Sequence, residues 1–123
     1  MLECIDFDFL KNNYPLTMSC SHPDLGRWKK EKESSHCGVC LPCTIRRAAI
    51  LKAGLKDESF YRDPNYKDIE AETNLRSYRL GMIRHKNPLL AIQESGPITH
   101  HRQEFADLYQ RGLAELKDFI ETL

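Results

Sequence analysis

The sequence predicts a mainly α-helical fold in which a cysteine-rich knuckle in the N-terminal half precedes a helical C-terminal part. Apolar residues recur at helical spacing along much of the 123 residues, and no segment shows the alternation typical of strands. Four of the five cysteines lie between residues 20 and 43. A chain of this length suits one domain. We therefore expect a single domain over 1–123, with the knuckle at about 17–54 and the helical part at about 66–123.

The N-terminal segment is predicted to form a short helix over residues 2–14. Asp6 or Asp8 suits its N-cap, and Pro15 ends it because proline cannot continue a helix. Cys4 lies within this helix, where a free cysteine behaves as a small buried apolar residue.

The next segments lead from this helix to the knuckle. Residues 15–19 are expected to be extended, and 21–36 to form a polar loop. That loop contains Trp28, the only tryptophan, which we expect to fold back onto the core. The following helix is expected between Pro42, which suits a first turn, and Gly54, which suits a C-cap.

Three further helices are predicted in the C-terminal part. One spans 68–85, and a short one follows Asn87 as its N-cap and stops at Gly96-Pro97. The last helix runs from about Thr99 to the end. The residues that recur at helical spacing in the long helices, and that we expect on their inner faces, are Leu75, Tyr78, Met82, Ile83, Phe105, Tyr109, Gly112, Leu116, Phe119 and Leu123.

The charge balance argues against a globally basic nucleic-acid-binding protein, because 18 Lys and Arg side chains match 18 Asp and Glu side chains. The segment 27–56 is locally basic, with eight basic and two acidic side chains. It is either a surface for an anionic partner or an ordinary patch of a balanced surface. We find no membrane-spanning apolar run and no signal peptide, so we expect a cytoplasmic protein.

The triplet Cys37-x-x-Cys40-x-x-Cys43 is the strongest chemical signal. Its spacing lets a tight turn, eased by Gly38, direct the sulfurs at one centre. Cys43 falls in the first turn of a helix, whose N-terminus favours a thiolate. A reducing cytosol and an odd cysteine count argue against disulfides. Zinc takes four ligands in a structural site, and the predicted ligands are Cys20, Cys37, Cys40 and Cys43.

Two alternatives stay open at this point. His22 or His36 could replace Cys20 as a ligand, and a metal-free redox dithiol shares the C-x-x-C spacing. Arg46 and Arg47 follow the triplet, and we expect them to offset the formal charge of about −2 that zinc with four thiolates carries.

Four runs of sequence together resemble one protein family. They are Thr17-Met18-Ser19-Cys20-Ser21-His22-Pro23, Cys37-Gly38-x-Cys40-x-x-Cys43-x-x-Arg46-Arg47-Ala48, Glu94-Ser95-Gly96-Pro97 and Tyr109-Gln110-Arg111-Gly112-Leu113-Ala114-Glu115-Leu116. Over about residues 7–120 the chain is similar to the C-terminal zinc segment of the 7-cyano-7-deazaguanine synthase (QueC) family. The closer resemblance is to the QueC-like proteins of anti-phage defence islands, the QatC type.

The resemblance implies a cytosolic, ATP-dependent enzyme of the PP-loop class. Such enzymes bind ATP through a Ser-Gly-Gly-x-Asp-Ser loop on a Rossmann-like α/β domain, and their cysteines bind a structural zinc beside the active site. The synthases of queuosine biosynthesis adenylate a 7-deazaguanine carboxylate and convert it with ammonia to the amide and the nitrile. By this resemblance Arg46 and Arg47 are candidates to contact an adenylate or the substrate carboxylate.

The sequence departs from the family in one respect, because none of its six glycines is adjacent to another. It therefore has no Ser-Gly-Gly-x-Asp-Ser loop. We expect a fragment, a split-gene product or a remnant that is inactive alone and works with an ATP-binding PP-loop domain or partner protein. Two other functions remain open: a zinc-held interaction module that docks by a helical face, and a nucleic-acid-binding knuckle with Trp28 in the basic segment.

Overall fold

A computed structural model describes residues 5–24 and 34–123 of the chain. Within these two ranges the fold is mainly helical, as the sequence predicts, and contains no strand. A single-turn 3₁₀ helix spans Tyr14–Leu16. The α-helices are α1 (Phe7–Asn13), α2 (Leu41–Lys52), α3 (Ile69–Arg84), α4 (Pro88–Glu94) and α5 (Arg102–Glu121).

Helix α1 is shorter than the sequence predicts. It begins at Phe7 because Asp6 is the N-cap, whose carboxylate accepts a hydrogen bond from the Phe9 amide at 2.8 Å. The segment predicted to be extended instead starts with the 3₁₀ turn, where the carbonyl of Tyr14 accepts from the amide of Thr17 at 3.1 Å. Cys4 lies outside the described residues, and so does Trp28.

Helix α2 follows the predicted start and stop signals. A proline occupies its first turn, and Gly54 lies just beyond its end with a φ of +66°, the left-handed conformation that glycine adopts at little cost. Asn87 caps α4 as expected, since its side-chain oxygen accepts from the amides of Leu89 and Leu90 at 3.1 and 3.3 Å. The local signals in the sequence therefore place α2 and α4 correctly.

The last helix begins later than predicted. His101, in the left-handed region with a φ of +54°, precedes its first residue, Arg102. Its buried face also differs in part from the predicted one. Phe105 and Leu123 are exposed, whereas Ala106 and Ile120 are buried.

The core lies where the knuckle meets the two longest helices. Helix α5 packs against α2 and α4. On α3, Ile83 is exposed although its spacing predicted an inward position. The buried core consists of Cys37, Val39, Cys40, Cys43, Ala48, Tyr66, Ala71, Leu75, Leu116, Phe119 and Ile120. Three cysteines therefore belong to the main apolar cluster itself.

The knuckle is held against the loop that follows α2. The amide of Arg62 donates to the His36 carbonyl at 3.0 Å, and the amide of Asp63 donates to the Cys37 carbonyl at 3.1 Å. Gly38 comes so close to this loop that a Cβ atom would lie 2.7 Å from the Asp63 carbonyl oxygen.

None of the helices within residues 5–24 and 34–123 is long and apolar enough to cross a membrane.

We expect Gly38→Ala to lower the free energy of unfolding by about 1–3 kcal/mol, because the φ of +91° and the contact with Asp63 both disfavour a side chain. Gly81→Ala is the matched control, since Gly81 lies within α3 and a Cβ atom there would meet nothing within 4 Å beyond its own stretch of helix. The control should raise the free energy of unfolding by about 0.5–1 kcal/mol. Urea denaturation of the metal-loaded variants measures both values, and equal effects would contradict the assignment of Gly38.

Candidate metal centre

The four predicted cysteine ligands come together in space. The Sγ atoms of Cys20, Cys37, Cys40 and Cys43 all lie within 4.8 Å of one another. The Sγ atoms of Cys37 and Cys43 are 4.0 Å apart. A zinc ion bound tetrahedrally by thiolates at about 2.3 Å requires sulfur atoms about 3.8 Å apart. The chain can therefore close four thiolates around a metal ion with small side-chain adjustments.

Local backbone structure positions these thiols. Cys20 follows the 3₁₀ turn, and Cys37 and Cys40 flank the tight turn that contains Gly38. Cys40 is the N-cap residue of α2, so that Cys43 lies in the first helical turn, where it is fully buried. Two stretches of backbone, one at Cys20 and one over 37–43, thus contribute to one cluster.

Backbone amides point at the sulfur atoms. The amide of Cys37 donates to Cys20 Sγ at 3.2 Å, and the amide of Cys40 donates to Cys37 Sγ at 3.3 Å. The amide of Ser21 donates to Cys40 Sγ at 3.5 Å, and the amide of His22 donates to Cys20 Sγ at 3.3 Å. Hydrogen bonds of this kind favour the thiolate, which is the form that binds metal.

The thiols differ in acidity. Burial raises the pKa of Cys40, but the amides of Ser21 and Cys43, together with hydrogen bonds to the neighbouring Cys43 and Cys37 thiols, outweigh burial and lower that pKa to about 7. Burial raises the pKa of Cys43 and of Cys37. The helix N-terminus, expected to favour a Cys43 thiolate, is therefore outweighed by desolvation. A cation bound to these two buried sulfurs would stabilise their thiolate forms and so lower their pKa values.

The two histidines that were alternatives to Cys20 lie outside the four-thiol cluster. His36 is buried, and its Nδ1 atom is 3.8 Å from Cys43 Sγ. Burial lowers the pKa of His36, and the nearby Arg46 lowers it further. His22 is exposed and meets the cluster through its backbone amide. His36 is thus placed to support a ligand rather than to replace Cys20.

Polar side chains tie the knuckle to α2 and α3. The hydroxyl of Tyr78 donates to the Val39 carbonyl at 2.9 Å. Thr44 Oγ1 donates to the Cys40 carbonyl at 3.0 Å, so it accepts at 2.8 Å from the hydroxyl of Tyr66. The carbonyls of Val39 and Cys40 are therefore held by side chains that follow the cysteine segment in the sequence.

Arg46 is 8% exposed and faces the 3₁₀ turn. Its Nη1 donates to Thr17 Oγ1 at 2.6 Å, and its Nη2 donates to the Tyr14 carbonyl at 2.5 Å and to Ser59 Oγ at 3.2 Å. No carboxylate of the described residues pairs with it. Arg46 therefore joins α2 to the 3₁₀ turn and to the loop at Ser59, and its Cζ atom lies 5.8 Å from the centroid of the Tyr14 ring.

Arg47 points to a different side of α2. Its Nη2 donates to the Pro64 carbonyl at 2.7 Å, and its Nη1 donates to the Gly38 carbonyl at 3.4 Å. Three aromatic rings have centroids 4.9–5.2 Å from its Cζ atom: Tyr61, Tyr66 and Phe119. Arg47 thus links the knuckle turn to α5 through cation–π contacts.

Sequence reasoning missed the tyrosines that complete this arrangement. Tyr66 lies in the loop between α2 and α3 and has a φ of +53°. Tyr61 lies beside His36, with ring centroids 5.4 Å apart. The helical spacing did place Tyr78 on the inner face of α3, but it gave no sign of the bond to the knuckle. No signal in a single sequence connects these tyrosines to the cysteines, because the contacts span about 22 to 39 positions.

Comparison with known proteins gives one partial relative. The 7-cyano-7-deazaguanine synthase of Cupriavidus metallidurans is 40% identical to the chain over 53 residues. The matched segment covers 43% of this chain and 20% of that protein. No protein-family profile and no solved structure matches the chain. The chain is therefore a partial homologue of a QueC-like protein and spans about a fifth of the length of that relative.

We expect the purified chain to bind one zinc ion, and Cys40→Ser to lose most of it, because three thiolates cannot close the site. Cys4→Ser is the matched control and should keep its zinc. Elemental analysis gives the metal content, and the cobalt-substituted protein should show the absorption of a tetrahedral thiolate site. Full zinc content in Cys40→Ser would overturn the ligand set.

Removal of the metal should loosen the knuckle before the distant helices. Without the cation, the buried thiolates repel one another. They therefore either take up protons or move apart. Amide hydrogen exchange after chelation should rise first at Cys37 and Cys40, whose amides donate to cluster sulfurs. Protection at these amides that is unchanged by chelation would show that the knuckle folds without metal.

Proposed function

We propose that the chain is the zinc-stabilised C-terminal module of a QueC-like, ATP-dependent enzyme that acts on a 7-deazaguanine-type substrate. The observation that carries this proposal is the convergence of four thiols whose sequence pattern resembles the cysteine segment of that family. The partial homology to a 7-cyano-7-deazaguanine synthase supports it.

The metal in this proposal is structural zinc. Four sulfurs fill a tetrahedral zinc site and leave no position for water or substrate. Zinc bound there supplies charge neutralisation and cross-linking of the backbone, and no catalytic step. The chain's own residues then hold the knuckle rigid: Tyr78 and Thr44 bind the carbonyls of the turn, and Arg47 joins the turn to α5.

ATP binding is assigned to a different part of the enzyme. A phosphate cradle is usually built from backbone amides of a glycine-rich turn, and this sequence has no two adjacent glycines. We propose that a PP-loop domain, in a partner protein or in a further segment, supplies the ATP site. The module completes the active site and is inactive by itself.

The two arginines after the triplet take different roles in this proposal. Arg47 is occupied by two backbone carbonyls and three aromatic rings, which suits a positioning role. Arg46 is buried and forms no salt bridge in the described part of the chain, and in this proposal its charge acts from behind the 3₁₀ turn on an anionic substrate group such as a carboxylate or an adenylate.

The resemblance of Ser19–Pro23 and Tyr109–Leu116 to the QatC type leads us to extend the proposal to anti-phage defence. In a defence system, the enzyme would apply chemistry related to that of the synthases to a different target. A cytoplasmic location fits this role.

Reconstitution tests the proposed function. The chain is co-expressed with a 7-cyano-7-deazaguanine synthase from which the cysteine segment has been deleted, so that only its ATP-binding part remains. We expect a complex on size-exclusion chromatography and recovery of pyrophosphate exchange that depends on ATP and on 7-carboxy-7-deazaguanine. The adenylation step forms an acyl phosphate bond and releases pyrophosphate, which makes this exchange a direct readout.

Two controls make the result specific. The Cys40→Ser chain should not restore exchange, and the intact synthase should be active in the same assay. No complex and no exchange, with an active intact synthase, would contradict the proposal. Salt-dependent retardation of nucleic acid by the zinc-loaded chain in that event would favour the basic knuckle segment as a nucleic-acid interface.

A further inference from the structure

A groove of about 430 Å³ lies between α3 and α5. Helix α5 packs mainly against α2 and α4 and only loosely against α3, which leaves space between the two helices. The volume falls within the range of about 300–1,000 Å³ that binding pockets occupy. None of the four cysteines lines this groove, so it is a surface separate from the metal centre.

The floor of the groove is apolar. Met82 and Ile83 of α3 line it together with Ile120 of α5. Met82 and Ile120 also pack in the core. Ile83 is 59% exposed, although its helical spacing predicts an inward position. The groove is therefore a place where the apolar face of α3 continues beyond the core and leaves Ile83 uncovered.

Cations border this apolar floor. Arg79 and Lys86 line the groove on the α3 side, and Lys117 lines it on α5. Glu121 also lines the groove, and its carboxylate lies 3.7 Å from Lys117 Nζ in an exposed pair that contributes little to stability. Neither Arg79 nor Lys86 forms a salt bridge within residues 5–24 and 34–123. The groove thus carries a net positive charge.

The combination of an apolar floor and a basic rim decides which occupant fits. A second copy of the chain packed groove to groove would bring like charges together, which is unfavourable. Nucleic acid would pair with the cations through its phosphates but would leave the apolar floor uncovered. An amphipathic helix places its apolar side chains in a groove of this kind, and acidic residues along its edges would meet the cations.

We propose that the groove between α3 and α5 binds an amphipathic helix of a partner protein, with acidic residues along the edges of its apolar face. Ile83 and Met82 contact the apolar side chains of that helix, and Arg79, Lys86 and Lys117 pair with its acids. The inference goes beyond the proposed function, because it concerns neither the cysteine cluster nor the ATP-dependent reaction.

Titration of the zinc-loaded, ¹⁵N-labelled full chain by NMR tests the inference. The probes are three end-blocked peptides of about 18 residues, long enough to form a helix in water. They share one leucine face, and its edges carry glutamate, glutamine or lysine. The glutamate peptide should bind about tenfold more tightly than the glutamine peptide, and added salt should reduce this difference. Its chemical-shift changes should map to 79–86 and 117–121.

Ile83→Ser tests the apolar floor. The substitution removes the exposed apolar side chain of the groove, so the glutamate peptide should bind about tenfold more weakly. Ile69→Ser is the matched control, because Ile69 is an exposed isoleucine of α3 that does not line the groove. It should leave the affinity unchanged. Zinc content and thermal unfolding monitor the fold of both variants.

Reversal of charge at Arg79 and Lys86 tests the basic rim. The variant with both Arg79→Glu and Lys86→Glu should prefer the lysine peptide to the glutamate peptide, a reversal that partial unfolding would not produce. Both side chains are exposed, so the substitutions should leave the fold intact. Arg84→Glu is the control, since Arg84 is an exposed residue of α3 outside the groove. It should keep the preference for the glutamate peptide.

Equal affinity for the three peptides, or no binding of the glutamate peptide, would overturn the inference. An unchanged preference in the folded variant with both charges reversed would overturn it as well. A dimer of the chain that Ile83→Ser disrupts would replace the partner helix by a second copy. An oligonucleotide that shifts the groove residues, together with no peptide binding, would replace it by nucleic acid.

Discussion

The convergence of four thiols is the constraint on which the rest of the fold depends. Cys20 lies 17 residues before Cys37, and the cluster brings it against the turn that leads into α2. Cys43 is fully buried and belongs to the same core as the apolar residues of α5. A chain of this size has a modest core, so a cross-link at this point contributes disproportionately to its stability.

Side-chain contacts connect the knuckle to α3 and α5. The carbonyl of Val39 accepts from Tyr78 on α3, and Arg47 contacts both the Gly38 carbonyl and the ring of Phe119 on α5. The knuckle is therefore joined to α3 by a hydrogen bond and to α5 through the guanidinium of Arg47.

Adjacent arginines on α2 illustrate how one helix can serve two purposes. Successive helical residues are about 100° apart around the axis, so they face different surroundings. Arg47 faces the aromatic rings and the knuckle, and backbone carbonyls occupy its donors. Arg46 faces the 3₁₀ turn, where the Tyr14 carbonyl and the hydroxyls of Thr17 and Ser59 accept its hydrogen bonds. Arg46 and Arg47 therefore link α2 to different segments of the chain.

The sequence by itself determined the mainly helical class, the ends of α2, the start of α4 and the choice of the four cysteines, because each depends on neighbouring residues or on a short spacing. Asn87 and Gly54 marked helix ends correctly for this reason. Tertiary structure alone decided that Ile83 and Phe105 are exposed, that Tyr66 and Tyr78 bind the knuckle, and that Arg46 lacks a carboxylate partner among the described residues. Those outcomes depend on which distant segments meet. Helical periodicity shows which residues share the apolar face of a helix. It does not show which other segment packs on that face, and that segment decides which residues are buried.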